Sequence, residues 1–167
     1  MHRTIATRFA LLLLLAVAGP VGAQEPAPAP APAPAQAPVP ETRTGDARLD
    51  QLLGDIDRYG ARYPGAFIDE LVRYHAAPRD YVSGLLGEGG WKPGDVYYAC
   101  ALGAITGRSC RYVAEAHRRA PGAGWGPLAQ RLGVAPGSAG ADRLLAGIAA
   151  SYQRWARPLP GVEAPAR

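Results

Sequence analysis

The sequence lacks most of the patterns by which enzymes and metal proteins are identified. It has only two cysteines and three histidines among 167 residues, and none of them lies at a spacing typical of metal ligands. There is no Gly-x-Ser-x-Gly nucleophile motif, no phosphate-binding loop and no Cys-x-x-Cys redox pair. No long stretch alternates apolar and polar residues, which is the pattern of a β-strand. We therefore predict no metal, no cofactor, no catalytic residue and no β-sheet.

A long hydrophobic run is also missing. The apolar segment from Phe9 to Gly19 is too short for a transmembrane anchor, and it follows a basic start that contains Arg3 and Arg8. The small residues at 21–23 suit a signal peptidase, so residues 1–23 are predicted to be a cleaved signal peptide. No cysteine follows the apolar run, which removes the obvious site for a lipid anchor. We expect an exported protein, periplasmic or secreted, that is not an integral membrane protein.

Residues 24–41 contain almost nothing that a core could bury. They alternate proline with alanine, which is typical of a polyproline-like spacer of about 3 Å per residue. Plain disorder is the equally good alternative for this linker. Residues 42–157 are enough for one small helical domain, and residues 158–167 are predicted to be a flexible tail.

Positive charge is concentrated in the second half of the chain. Residues 41–99 hold seven Lys or Arg against ten Asp or Glu, whereas residues 100–167 hold nine against three. Outside the cytosol, a cationic surface favours an envelope protein or an anionic envelope polymer or lipid as partner. A solvated helix surface with no partner is the alternative. The candidate binding arginines are Arg118, Arg119 and Arg131.

Apolar residues recur with the helical period through most of the domain. The first such set begins at Leu49 behind Asp46, a plausible helix cap, and the last runs from about Ala141 to Trp155. A helix that begins at Pro93 places Val96, Cys100 and Gly103 on one face. The fold class is therefore predicted to be all-α, a compact bundle of six to seven short helices. Further predicted helix boundaries are Gly107, Ser109, Pro127 and Gly133.

The two cysteines, Cys100 and Cys110, are predicted to pair because the chain is expected to be exported. The bond requires the two helices that carry them to fold back on each other, with Cα atoms within about 6 Å. Two separate buried thiols are the alternative. The remaining histidines, His75 and His117, are expected to be ordinary helix residues.

Residues 124–140, near the C-terminus, resemble half of a DNA-binding helix-turn-helix motif. They also have a structural explanation: Trp125 between two glycines packs on nearby backbone, a short helix follows, and a turn leads into the last helix. Export argues against nucleic acid as a partner. We therefore interpret the stretch as a helical corner, whose structural residues are Gly124, Gly126, Leu128, Leu132, Gly133, Pro136 and Gly137.

Tryptophan and arginine are the residue types that dominate binding surfaces, so Trp91 and Trp125 join the three arginines as candidate binding residues. We expect an exported helical binding or accessory module of the cell envelope that acts through its cationic C-terminal half. A small envelope hydrolase is the alternative function, and an extracellular DNA-binding protein is a third.

Residues 82–138 carry a series of short motifs. They are Pro93-Gly94-Asp95-Val96, Gly107-Arg108, Gly124-Trp125-Gly126 and Leu132-Gly133 followed by Pro136-Gly137-Ser138. In this order they resemble a group of small exported bacterial proteins. The resemblance implies export and a helical fold and no particular activity. It ends after Ser138, where Ala141 and Asp142 replace an aromatic residue and a histidine of the group's pattern.

Overall fold

Seven α-helices form the described part of the chain. The structure, a computed structural model, describes residues 43–161. The predicted signal peptide, the linker and the end of the predicted tail lie outside these residues. No β-strand occurs between residues 43 and 161, and the prediction of six to seven helices is confirmed. The helices are α1 (Ala47–Arg62), α2 (Pro64–Tyr74), α3 (Arg79–Leu86), α4 (Pro93–Thr106), α5 (Cys110–Arg118), α6 (Gly126–Arg131) and α7 (Ala139–Arg154).

Local capping sets several of the helix ends. The side chain of Asp46 accepts a hydrogen bond from the backbone N–H of Leu49 at 3.0 Å, and that of Ser109 accepts one from Tyr112 at 3.1 Å. Each bond satisfies an N–H group that the first turn of a helix leaves unpaired. Gly107 ends α4 with a left-handed φ of 67°, which glycine adopts without steric cost. These boundaries agree with those predicted.

The central helix of the core is α4. It contacts α1, α3, α5 and α7, and every residue from Val96 to Gly103 is buried. The sequence predicted one buried face for this helix, whereas the structure buries its whole circumference over this range. An apolar helix surrounded by others needs no polar face. The hydroxyl of Tyr97 lies 2.8 Å from that of Ser151 in α7, so this polar group is hydrogen-bonded although its ring is buried.

A disulfide joins Cys100 of α4 to Cys110 of α5, as predicted. The two Cα atoms are 4.1 Å apart. Gly103 allows this close crossing, because a Cβ atom at that position would lie 2.8 Å from the carbonyl oxygen of Arg108. The bond spans ten residues, and for a loop of that length the chain-entropy treatment gives a stabilisation of about 2.7 kcal/mol.

The Gly-Trp-Gly corner holds the start of the described chain against the helices. The backbone N–H of Trp125 donates to the carbonyl oxygen of Arg43 at 2.7 Å. A Cβ atom on Gly124 would lie 3.0 Å from the same oxygen, and one on Gly126 would lie 3.1 Å from the carbonyl oxygen of Thr44. The two glycines therefore make room for backbone from the other end of the domain. This long-range contact explains why glycine stands on both sides of Trp125.

The rest of the corner connects α6 to α7. Leu128 is buried and Leu132 packs partly buried against the core. Gly133 and Gly137 lie at the two ends of the connection, and the exposed Pro136 stands between them. The corner thus combines a short helix, a turn and the start of a longer helix, as predicted.

One face of α7 packs against the core. Leu144, Ile148 and Tyr152 are buried, as expected, but Trp155 at its end is only half-buried. Leu159, in the predicted tail, also packs against the core. Part of the Trp155 side chain therefore stays accessible and lines a groove on the surface.

Candidate functional site

Three rings from separate parts of the chain form an aromatic cluster at the Gly-Trp-Gly corner. His117 stacks on Trp125, with ring centroids 3.8 Å apart and planes 5° apart. Trp91 meets both rings edge-on, at 5.6 Å from His117 and 6.0 Å from Trp125. Trp125 is 1% exposed, whereas Trp91 is half-buried. Of the two tryptophans predicted to bind a partner, Trp91 has accessible surface and Trp125 belongs to the core.

Ion pairs behind this cluster fix its position. The indole N–H of Trp125 donates a hydrogen bond to Asp95 at 2.8 Å. The same carboxylate accepts a hydrogen bond from the guanidinium of Arg43 at 2.6 Å. Arg43 also donates to Asp57 at 2.9 Å. Burial lowers the pKa of Arg43, but the hydrogen bonds and charges of the two carboxylates outweigh it and raise that pKa. Burial lowers the pKa of His117, so its ring stacks in the neutral form at pH 7.

Two arginines of α5 lie over aromatic rings on one side of that helix. Arg111 and Arg118 are seven residues apart, which is about two turns. The guanidinium carbon of Arg111 lies 4.2 Å from the ring centroid of Tyr81, and that of Arg118 lies 5.8 Å from the ring centroid of Trp91. A hollow of about 500 Å³ lies beside Arg111 and Tyr81, and one of about 380 Å³ lies beside Arg118 and Trp91. Gly89 lines both hollows. We call this surface the α5 groove.

The α5 groove carries charges of both signs. Asp80 and Glu88 line the same hollow as Arg111, and Arg118 lies 3.6 Å from Glu115 of its own helix. Mixed charge of this kind gives little net attraction for an anionic partner. The predicted residues Trp91 and Arg118 therefore meet in a groove whose electrostatics differ from the cationic surface that the sequence suggested.

The other two predicted arginines lie away from this groove. Arg119 is exposed directly after α5, and Arg131 is exposed at the end of α6. Arg131 lines a gap of about 20 Å³ together with His117 and Leu128. A gap of that size has room for little more than one water molecule. The structure thus does not gather Arg118, Arg119 and Arg131 into one site.

A second groove, between the ends of α1 and α7, has an aromatic lining. The rings of Tyr59 and Trp155 stack with centroids 4.3 Å apart and planes 26° apart. Tyr63, which is 48% exposed, lies 5.3 Å from Tyr59. The small side chain of Ala66 in α2 completes this lining, and the groove has a volume of about 630 Å³. We call it the α1–α7 groove.

Three arginines line the α1–α7 groove, and one buried carboxylate lies beneath them. Arg58 and Arg157 each pair with Asp55 at 2.9 Å. Arg62 donates to the hydroxyl of Tyr63 at 2.9 Å, and no carboxylate of residues 43–161 lies within salt-bridge distance of it. Three positive charges therefore stand against one negative charge, which leaves an excess of two.

Asp55 organises the guanidinium groups of this groove. It is 6% exposed and accepts a hydrogen bond from the hydroxyl of Tyr152 at 2.7 Å. Burial raises the pKa of Asp55, but the Tyr152 hydrogen bond and the charges of Arg157 and Arg58 outweigh it and lower that pKa. The carboxylate is therefore ionised at neutral pH and holds both arginines in place. No sequence motif marks this site, so it was not predicted.

A buried polar network lies between α2, α4 and α7. The hydroxyl of Ser151, which is 0% exposed, donates to Glu70 at 2.7 Å and lies 2.8 Å from the hydroxyl of Tyr97. Arg154 also donates to Glu70 through Nε, at 3.0 and 3.1 Å. Every member thus has a partner, as buried polar groups require. Ser151 is closed off from substrate and serves to join helices.

His75 stands beside this network without joining it. Its ring meets Tyr97 edge-on at 5.1 Å, and both ring nitrogens are buried with no hydrogen-bond partner among residues 43–161. Burial, opposed in part by the charge of Glu70 and aided by that of Arg154, lowers the pKa of His75 to about 4. The ring is therefore neutral at physiological pH.

Comparisons with protein families, with curated protein sequences and with solved structures find no match to this chain. None of the helices in residues 43–161 has both the length and the apolar character needed to cross a bilayer. The resemblance of residues 82–138 to small exported bacterial proteins stays a prediction.

Proposed function

We propose that this chain is an exported helical binding module that holds an anionic component of the cell envelope in its α1–α7 groove. The observation that carries the proposal is the positive excess at that groove. Arg58, Arg62 and Arg157 line it, and among the described residues Asp55 is the single acid that pairs with them. A concave surface that joins a few convergent charged groups to an aromatic lining is the usual form of a ligand site.

The guanidinium groups suit an anion because much of their position is already set. Asp55 holds two of them, and the guanidinium of Arg157 also lies 5.3 Å from the ring centroid of Tyr59. A planar guanidinium can donate two parallel hydrogen bonds to a carboxylate or a phosphate. Ordering these groups before binding reduces the entropy that a ligand must overcome. Arg62, which lacks a carboxylate partner, is the group most available to a ligand.

The proposal relocates the binding surface that the sequence suggested. Arg157 belongs to the cationic C-terminal half, but Arg58 and Arg62 come from the half that is acidic overall. The fold brings them together because α7 returns to the end of α1. Export and an envelope partner stay part of the proposal, and the disulfide between Cys100 and Cys110 supports the export component.

Sedimentation with lipid vesicles tests anion binding directly. The processed chain is mixed with vesicles of phosphatidylglycerol or of phosphatidylcholine, and we expect it to sediment with the anionic vesicles and to be released by salt. Arg62→Gln should weaken this association about fivefold, since one arginine near an anionic surface contributes about 1 kcal/mol.

Arg143→Gln is the matched control, because Arg143 is an exposed arginine of α7 outside the groove. It removes the same charge and should cause less than half of that loss. Equal losses in the two variants would mean that net charge alone drives the association. If the chain binds neither the anionic vesicles nor inorganic phosphate, the proposal is wrong.

A further inference from the structure

We infer that the ligand of the α1–α7 groove is a phosphomonoester attached to a ring, such as a glycosyl or an aryl phosphate. This inference rests on the proposed function, since it names the chemical class of the anion. It is argued from the charge of the groove and from the shape and polarity of its lining.

The charge of the groove matches a phosphomonoester better than it matches a singly charged anion. Arg58, Arg62 and Arg157 against Asp55 leave an excess of two positive charges. A phosphomonoester carries a charge of about −1.5 to −2 at pH 7, whereas a carboxylate or a phosphodiester carries about −1. A single phosphomonoester would therefore neutralise the groove.

The size and lining of the groove leave room for more than a phosphate ion. Its volume of about 630 Å³ lies in the range of small-molecule sites, about 300–1,000 Å³. Tyr63 and Trp155 line it with aromatic surface, and Ala66 adds only a methyl group. An aromatic ring or the apolar face of a sugar packs well on such surface.

The surroundings of Trp155 favour an apolar contact over a hydrogen-bonded one. Its indole N–H is buried and finds no partner within residues 43–161, so it is not presented to a ligand as a donor. The indole stacks on Tyr59, which leaves ring surface as what Trp155 contributes to the groove. The arginines would thus hold the phosphate while the aromatic lining holds the ring.

Isothermal titration calorimetry of the processed chain with four probes tests the inference. The probes are phenyl phosphate, glucose 1-phosphate, inorganic phosphate and phenol. We expect at least one of the two esters to bind about tenfold more tightly than inorganic phosphate and than phenol, because the phosphate and the ring both contribute. Comparison of the two esters distinguishes an aryl from a glycosyl ligand.

Two variants separate the contributions of the arginines and the lining. Arg62→Gln should weaken inorganic phosphate and the preferred ester alike. Ala66→Leu, a helix-compatible change at an exposed position of α2, should weaken the ester about fivefold or more and leave inorganic phosphate unchanged. Arg143→Gln should leave every affinity unchanged within about twofold, since it lies outside the groove.

The outcomes distinguish this inference from the proposed function. If inorganic phosphate binds as tightly as both esters and Arg62→Gln weakens it, the groove binds anions but the ring assignment is wrong. An unchanged ester affinity in Ala66→Leu would likewise overturn the ring assignment. If none of the three phosphate compounds binds, the inference fails, and the vesicle experiment decides the fate of the proposed function separately.

Discussion

His75 makes the stability of this domain depend on pH in a window that the structure defines. Its two ring nitrogens are buried without hydrogen-bond partners in the described part of the chain, and its pKa is lowered from 6.5 to about 4. The charged groups around it are Glu70, which favours protonation, and Arg154, which opposes it. Protonation in the folded state would place a positive charge where no acceptor of residues 43–161 lies within hydrogen-bond distance.

The sign of the effect follows from the proton count. Between pH 6.5 and pH 4 the unfolded chain holds a proton on His75 and the folded chain does not, so the free energy of unfolding falls as the pH falls. With pKa values of about 6.5 and 4, this one group removes about 2 kcal/mol of stability between pH 7 and pH 4.5. A domain of this size has a total stability of about 5–15 kcal/mol, so the loss is measurable.

His75→Phe removes the titration and keeps a ring that can pack edge-on against Tyr97. Replacing a buried, unpartnered polar group by an apolar one of similar shape is close to neutral or stabilising. We expect the variant to equal or exceed the parent in stability at pH 7. Its loss between pH 7 and pH 4.5 should be smaller by about 2 kcal/mol.

Urea unfolding followed by circular dichroism at several pH values measures both quantities. Nuclear magnetic resonance titration of the His75 ring provides the folded-state pKa independently. If parent and variant lose the same stability over this pH range, or if the folded His75 titrates near pH 6.5, the reasoning from its burial is wrong.

Two further changes test the packing. Replacing both cysteines, Cys100→Ala with Cys110→Ala, should lower the free energy of unfolding by at least about 2.7 kcal/mol in urea titrations. A reductant should then have no further effect, and an unchanged midpoint would contradict this. On α7, Gly140→Ala should destabilise by at least about 2 kcal/mol, because its Cβ would lie 2.4 Å from the carbonyl oxygen of Gly133. Gly147→Ala on the same helix has open space around its Cβ and should be neutral or stabilising by up to about 1 kcal/mol. If both variants lost the same stability, the close contact at Gly140 would not be the cause.

Local chemistry made part of this fold predictable. Asp46 and Ser109 cap helices because a carboxylate or hydroxyl placed before a helix accepts its free N–H groups, and this needs no tertiary information. The disulfide followed from the expected compartment and the spacing of Cys100 and Cys110. The Gly-Trp-Gly corner was located correctly, but its reason, the close approach of Arg43, depends on residues about eighty positions away.

The charge pattern could not reveal the α1–α7 groove. Counting charges along the chain assigned cations to the second half, and it drew attention to Arg118, Arg119 and Arg131. The groove instead takes Arg58 and Arg62 from the acidic half, where neighbouring carboxylates conceal them in a count by segment. Only the return of α7 to the end of α1 brings these arginines to Arg157, and helical periodicity does not specify how helices pack.

Photo-cross-linking from the groove is the most direct test of the central claim, that an anionic envelope component binds there. A benzophenone amino acid replaces Tyr63 in the full chain expressed in bacterial cells, and adducts are identified by mass spectrometry. Tyr112 is the matched control, because it is similarly exposed, 50% against 48%, and also has an arginine over its ring. We predict an adduct with an anionic envelope component at position 63 that Arg62→Gln reduces and that position 112 does not form. No adduct at position 63, or the same adducts at both positions, would contradict it.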